Sequence, residues 1–156
     1  MRVRAAGPGD RDRLLEWAND PVARAAGFHV ETIPADVHER WFARWLADRT
    51  TGRIWIGVVA RRPIGVVRVD RSPDDAWVVS IVLAPEERGK GRSGPLLEAG
   101  LAAARQAFPG AHFRAWVRTG NAASIALFKR AGFLPPARRP ERPAGTLDEF
   151  IVVERD

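Results

Sequence analysis

Two chemically active side chains are missing from this chain of 156 residues, which has no cysteine and no tyrosine and holds only three histidines. Without cysteine there can be no disulfide, no thiol nucleophile and no thiolate-bound zinc. Without tyrosine there is no phenol to protonate a leaving group. No apolar run approaches the roughly 18 residues that cross a bilayer. The opening Met1-Arg2-Val3-Arg4 leads into structured-looking sequence without the apolar stretch of a signal peptide. The expectations are a cytoplasmic protein with no membrane partner and no metal.

What is present is basic. Lysine and arginine number 25 against 19 acidic residues, a net charge of +6. Such a surface attracts phosphate-bearing partners. A nucleic acid is disfavoured, because the arginines are scattered and the aromatic interleaving of a single-strand binder is not evident. The six tryptophans and seven phenylalanines read as core and pocket material. The length suits one domain with a sizeable core, taken as residues 1–156.

Hydrophobic spacing supplies the elements. Val3 to Ala5 predicts a short strand. Asp10 to Asn19 predicts a helix with Leu14, Trp17 and Ala18 on its apolar face, broken at Asn19-Asp20-Pro21. Residues 35–48 predict a second helix, with Val37, Trp41 and Trp45 four residues apart. The period then shortens. Ile54 to Ala60 and Ile64 to Val69 read as a hairpin turning at Arg61-Arg62-Pro63, followed by a strand from Trp77 to Leu83. Helices are predicted over Pro95 to Ala107, with proline first, and over Asn121 to Ala131, with Asn121 as N-cap and Gly132 as stop. His112 to Val117 and Thr146 to Val153 complete the strands, and residues 135–145 form a Pro/Arg-rich surface loop. The order β-α-α-β-β-β-α-β-α-β predicts an α+β fold with a mixed sheet flanked by helices.

Chemistry concentrates where the strand ending Leu83-Ala84-Pro85 meets a helix through Glu86-Glu87-Arg88-Gly89-Lys90-Gly91-Arg92-Ser93-Gly94. Glycines let a phosphate approach the backbone, and the bare N–H groups of a helix start bind anions. Arg88, Lys90 and Arg92 add charge to the same place. Gly89, Gly91 and Gly94 spell a dinucleotide fingerprint, but no acidic residue lies between Glu98 and Glu141 to hold a ribose. A phosphate-binding P-loop fails because Gly91, not serine or threonine, follows Lys90. Taken alone, the segment is equally well a basic surface turn.

Two motifs together resemble the GNAT superfamily of N-acetyltransferases. Arg88, Gly91 and Ser93 occupy the [R/Q]-x-x-G-x-[G/A] pattern, with serine in the last slot. Asn121-Ala122-Ala123-Ser124-Ile125-Ala126-Leu127-Phe128-Lys129-Arg130-Ala131-Gly132-Phe133 is similar to N-x-x-[A/S]-x-x-L-[Y/F]-x-x-x-G-F. The segment from Leu15 to Pro21, with Phe28, Ile33, His38 and Trp41-Phe42, looks like a bacterial branch that includes sugar-nucleotide (pseudaminic acid pathway) N-acetyltransferases.

The resemblance implies acetyl transfer from acetyl-CoA to a primary amine by direct attack, with no metal. The implied acceptor is a small amine, in one form an amino sugar on a nucleotide. A protein N-terminus or lysine, or acyl-CoA binding without turnover, are alternatives, and a homodimer is one expectation for assembly. The implied co-substrate contacts are Arg88 to Gly94, the backbone of Val82 or Leu83 on a strand that splays at about Ile81 to Leu83, and Asn121, Ser124 and Phe128. Relatives often place tyrosine where this chain has Phe128, so the usual general acid is absent. Ser80, His29 and Glu31 are candidates for the base or its water, though Ser80 also reads as a hydroxyl satisfied within the sheet. Asn19, Phe28, His29 and His38 fall on the acceptor side, where His38 also reads as a packed histidine. Asp70 and Asp74 read as solvated residues of a turn.

Overall fold

A computed structural model describes residues 1–143 and 150–156. Its elements are β1 (Arg2–Ala5), α1 (Arg11–Asn19), α2 (Pro21–Ala26), α3 (Ala35–Ala47), β2 (Gly52–Val59), β3 (Arg62–Arg71), β4 (Trp77–Leu83), α4 (Ser93–Ala107), β5 (Phe113–Arg118), α5 (Ala122–Arg130) and β6 (Phe150–Arg155). The expected order is present with one addition. Asp20-Pro21 does end α1, but it also starts the short helix α2. Proline suits the first helical position, and the Asp20 carboxylate accepts from the amides of Val22 (3.1 Å) and Ala23 (3.2 Å).

The six strands lie in sequence order. Every neighbouring pair is antiparallel except β4 and β5, which are parallel. The β2–β3 turn is Ala60-Arg61, one residue earlier than expected, and both residues have positive φ. Pro63, which cannot donate to a ladder, sits beside the register shift after Gly57. The part of the expected final strand at residues 146–149, and Ala144 and Gly145 of the expected loop, lie outside the described residues; the strand is observed from Phe150.

Alternation along the strands sorts side chains onto two faces. On one face Val67, Val69, Val79, Phe113, Ala115 and Val117 pack with Leu96, Leu97 and Leu101 of α4 and Leu127 and Phe128 of α5. On the other, Ile54, Ile56 and Val58 pack with Leu14, Trp17 and Phe42 of α1 and α3. Gly100 lets α4 lie directly on β3, since a Cβ there would sit 2.6–2.8 Å from the Val67 side chain. This contact fixes where the N-terminus of α4 emerges relative to the end of β4. Helix α4 begins at Ser93, two residues before the expected Pro95. Pro95 still falls in the first turn, where its missing N–H costs nothing.

Candidate functional site

The parallel pair β4–β5 is joined only at its beginning, where Trp77 faces Phe113 and Val78 faces Arg114. Beyond Val78 the two strands part, so the opening begins earlier than the expected Ile81 to Leu83. The Trp77 amide donates to His112 O, on the β5 side, and the Ala84 amide to Ile64 O, on the β3 side. Successive strand amides point to opposite edges, and the β3–β4 register is unbroken. The amides of Ile81 and Leu83 therefore face the gap. That of Val82 faces β3, which corrects the expectation that Val82 could donate into the site.

The gap leads to the loop that starts α4. Gly89 (φ 72°) and Gly91 (φ 68°) hold left-handed conformations, which side chains disfavour by about 1–2 kcal/mol. Among the described residues, no acceptor is found for the amides of Gly89, Lys90, Gly91, Arg92, Ser93 or Gly94. A Cβ at Gly89, Gly91 or Gly94 would meet no protein atom within 4 Å. The loop is thus a run of open donors at the positive end of a 15-residue helix, unobstructed by the protein itself. This geometry fits a diphosphate.

The cations around the loop are less available than the sequence suggested. Arg88 reaches the Asp20 carboxylate at 2.5 Å, tying the loop to the cap of α2. Arg92 is ion-paired with buried Glu87, and Lys90 lies 3.6 Å from the same carboxylate. Two carboxylates thus offset much of the local charge, and the amides are left as the principal open donors.

Asn121 caps α5, its side-chain oxygen accepting from the Ser124 amide at 3.1 Å. Phe128 is a core residue, 4% exposed and edge-on to Phe133 at 5.0 Å. On the acceptor side the expected residues hold different positions. Asn19 is a staple, exchanging two hydrogen bonds with the Ile33 backbone at 2.7 and 2.9 Å. His38 is buried and stacked on Phe42, and burial pushes its pKa down, so it packs as a neutral ring. Phe28 rests on Phe150 at 4.9 Å. His29 and Glu31 are exposed, and the Glu31 carbonyl accepts from Arg24 at 3.3 Å. Ser80 is half-buried on the α1/α3 face, and no sheet partner for its hydroxyl appears among the described residues.

Two polar residues of β3 share that face, Arg68, which no sequence motif marks, and Asp70, which reads from sequence as solvated. Arg68 lies directly opposite Ser80, and Asp70 opposite Val78. Asp70 belongs to β3, not to a solvated turn. Burial pushes its carboxyl above the ordinary carboxylate range against the pull of Arg68, while 37% of the side chain stays open. Asp74 is held by both terminal nitrogens of Arg114 at 2.8 and 2.9 Å, which keeps its pKa far below the usual range. A signal was available: the alternation Val67-Arg68-Val69-Asp70 sends two charges toward a face otherwise lined by apolar helices.

Arg118 of β5 donates to the Gly27 carbonyl at 2.8 and 3.0 Å. With the Asn19–Ile33 staple, this holds the segment after α2 as a roof over the ends of β5 and β6, where Phe28 meets Phe150. Among the described residues no cluster of three His, Asp or Glu could hold a metal, and no helix is long and apolar enough to cross a membrane.

Residues 1–134 match the acetyltransferase (GNAT) domain family. No curated protein matches the chain in sequence. Among solved structures, the chain is similar to spermidine N-acetyltransferase from Vibrio cholerae in complex with CoA and spermine, at 19% identity and a TM-score of 0.80, over 97% of this chain and 91% of that one. It is also similar to ribosomal-protein-alanine N-acetyltransferase from Brucella melitensis, at 20% identity and a TM-score of 0.79, over 99% of both chains. The yncA protein of Salmonella typhimurium with its cofactor acetyl-CoA aligns at 21% identity and a TM-score of 0.78, over 99% of this chain and 92% of that one.

Proposed function

The chain belongs to the acetyltransferase (GNAT) family, and on that premise we propose that it transfers acetyl from acetyl-CoA to the primary amine of a small acceptor, the whole chain acting as one domain. The observation that carries this reading is the continuity of two unpaired backbone surfaces. The open amides of Gly89 to Gly94 suit a diphosphate, and the free edge of β4 beside them suits an extended arm. The co-substrate supplies a thioester whose acyl carbon accepts the amine lone pair, the C–N bond forming as the C–S bond breaks.

The chain's own groups supply the rest. The Ile81 and Leu83 amides face the gap and can donate to the acyl oxygen. An ammonium has no lone pair, so its proton must leave first. Asp70 is the base we assign, acting through a water oriented by Ser80. Its raised pKa brings it nearer the operating pH, as a general base requires. No side chain is assigned as general acid, since Phe128 cannot serve. The departing thiolate is a weak base, a thiol having a pKa of about 8.5, and solvent protonates it.

The roof held by Arg118 and Asn19 favours a small acceptor over an extended peptide, and a titratable base on the site face favours turnover over mere acyl-CoA binding. An amino sugar on a nucleotide carrier, as in the sugar-nucleotide branch, is one such acceptor. Spermidine and a ribosomal-protein alanine are named for structural relatives. A thiol-release assay with acetyl-CoA across amino sugars, amino acids, polyamines and peptides tests the reading. Turnover of a small amine supports it. CoA binding without turnover of any amine rejects the enzyme, and turnover of peptides alone rejects the small acceptor.

A further inference from the structure

On the α1/α3 face of the sheet two guanidiniums keep hydrogen-bond donors that the protein does not use. Arg68 projects from β3 beside Ser80, its guanidinium over the Trp41 ring at 5.4 Å. Its Nε lies 2.7 Å from Asp70 Oδ2 in an ion pair that lacks hydrogen-bond direction. Its two terminal nitrogens have no acceptor given by the protein among the described residues. Arg24 comes down from α2. Its Nε is buried without any partner, and one terminal nitrogen makes a 3.3 Å contact to the Glu31 carbonyl. The two guanidiniums are near enough that Arg68, after burial, lowers the Arg24 pKa, against a smaller opposing pull from Glu31. Two buried-edge cations brought together with donors to spare are unfavourable in an empty site. They become favourable when an oxyanion sits between them, as arginine's fork is suited to do.

We infer that the acceptor amine carries an oxyanion, a carboxylate or a phosphate, held between Arg24 and Arg68 while its amino group lies at the free edge of β4 near Ser80. This rests on the acetyltransferase reading and narrows its acceptor. Asp70 then has a double setting: it pairs Arg68 on one side and accepts the amine's proton on the other. A polycation would meet two like charges in the same place. The inference therefore separates this chain from a polyamine acetyltransferase of the same fold.

The test uses matched probes on the full chain. Phosphoethanolamine is compared with ethanolamine, β-alanine with β-alaninamide, and spermidine supplies the cationic arm. Both thiol release with acetyl-CoA and calorimetric binding to the CoA-loaded protein are measured. Each anionic probe should exceed its neutral twin about tenfold or more in kcat/KM or affinity, the effect of one charge-assisted hydrogen bond. Arg68→Gln and Arg24→Gln should each erase that ratio while leaving CoA affinity little changed, and Arg68→Lys should restore part of it. Preference for the phosphate pair or for the carboxylate pair identifies the anion. Equal handling of the twins, preference for spermidine, or a ratio that survives both glutamine variants overturns the inference while the acetyltransferase reading stands. Failure to bind CoA overturns both.

Discussion

Gly94→Ala separates a ligand site from a mere turn. Gly94 is the second residue of α4, has no positive φ, and a Cβ built on it meets no protein atom within 4 Å. Nothing in the fold requires glycine there. Alanine is the better helix former by up to about 1 kcal/mol, which for a domain of this size raises Tm by about 2–4 °C. A phosphate drawn onto the amides of the same turn does require it, because the methyl holds the anion away from the backbone. Losing one charge-assisted hydrogen bond costs about 1.5–3 kcal/mol, a loss of roughly 10- to 150-fold in affinity. The variant should therefore melt higher and bind CoA more weakly. Thermal denaturation and calorimetric titration with CoA read the two effects separately. A higher Tm with an unchanged Kd would refute the phosphate site, since it is the result a surface turn gives.

Other outcomes follow from the same structure. Asp70→Asn should lower kcat by about 10²–10⁴-fold with CoA affinity preserved. Activity of the parent chain should rise with pH through the raised Asp70 pKa, and that limb should vanish in the variant. A folded-state pKa above the unfolded one means that ionisation at neutral pH works against the fold, so Tm should hold; a collapse in Tm would mark Asp70 as structural instead. Gly100→Ala, whose Cβ would meet Val67 at 2.6–2.8 Å, should destabilise by about 1–3 kcal/mol in urea denaturation. Buried Asp10 is paired with Arg4 at 2.7 and 2.8 Å, which keeps its pKa low. Its contribution is present above the unfolded carboxylate pKa and is lost as pH falls through the folded value. Asp10→Asn should accordingly lower stability at pH 7 and flatten the acid limb of a stability–pH curve.

The sequence by itself determined the elements other than α2, and the open glycine loop, because both depend on near neighbours. Period-two and period-four apolar spacing sets strands and helices, and glycines placed just before a helix start leave its amides open whatever packs elsewhere. The Asn121 cap and the Gly132 stop are likewise local. Helix α2 was missed because proline was read as a breaker when it also starts helices, and the Asp20 side chain that caps it was taken as part of the break.

Tertiary structure decided what the charges do. Arg88 meets Asp20 across 68 positions of chain, and Arg118 meets Gly27 across 91. No spacing rule reaches that far, so three cations expected on a phosphate proved to be partly matched by the protein. Asn19 and His38, polar residues on the expected acceptor side, turned out to staple and to pack. Arg24, Arg68 and Asp70 gained their meaning only when the fold brought α2 near the polar positions of β3. A charge's role depends on its distance to other charges and on how much water remains around it, and both are set by the whole fold.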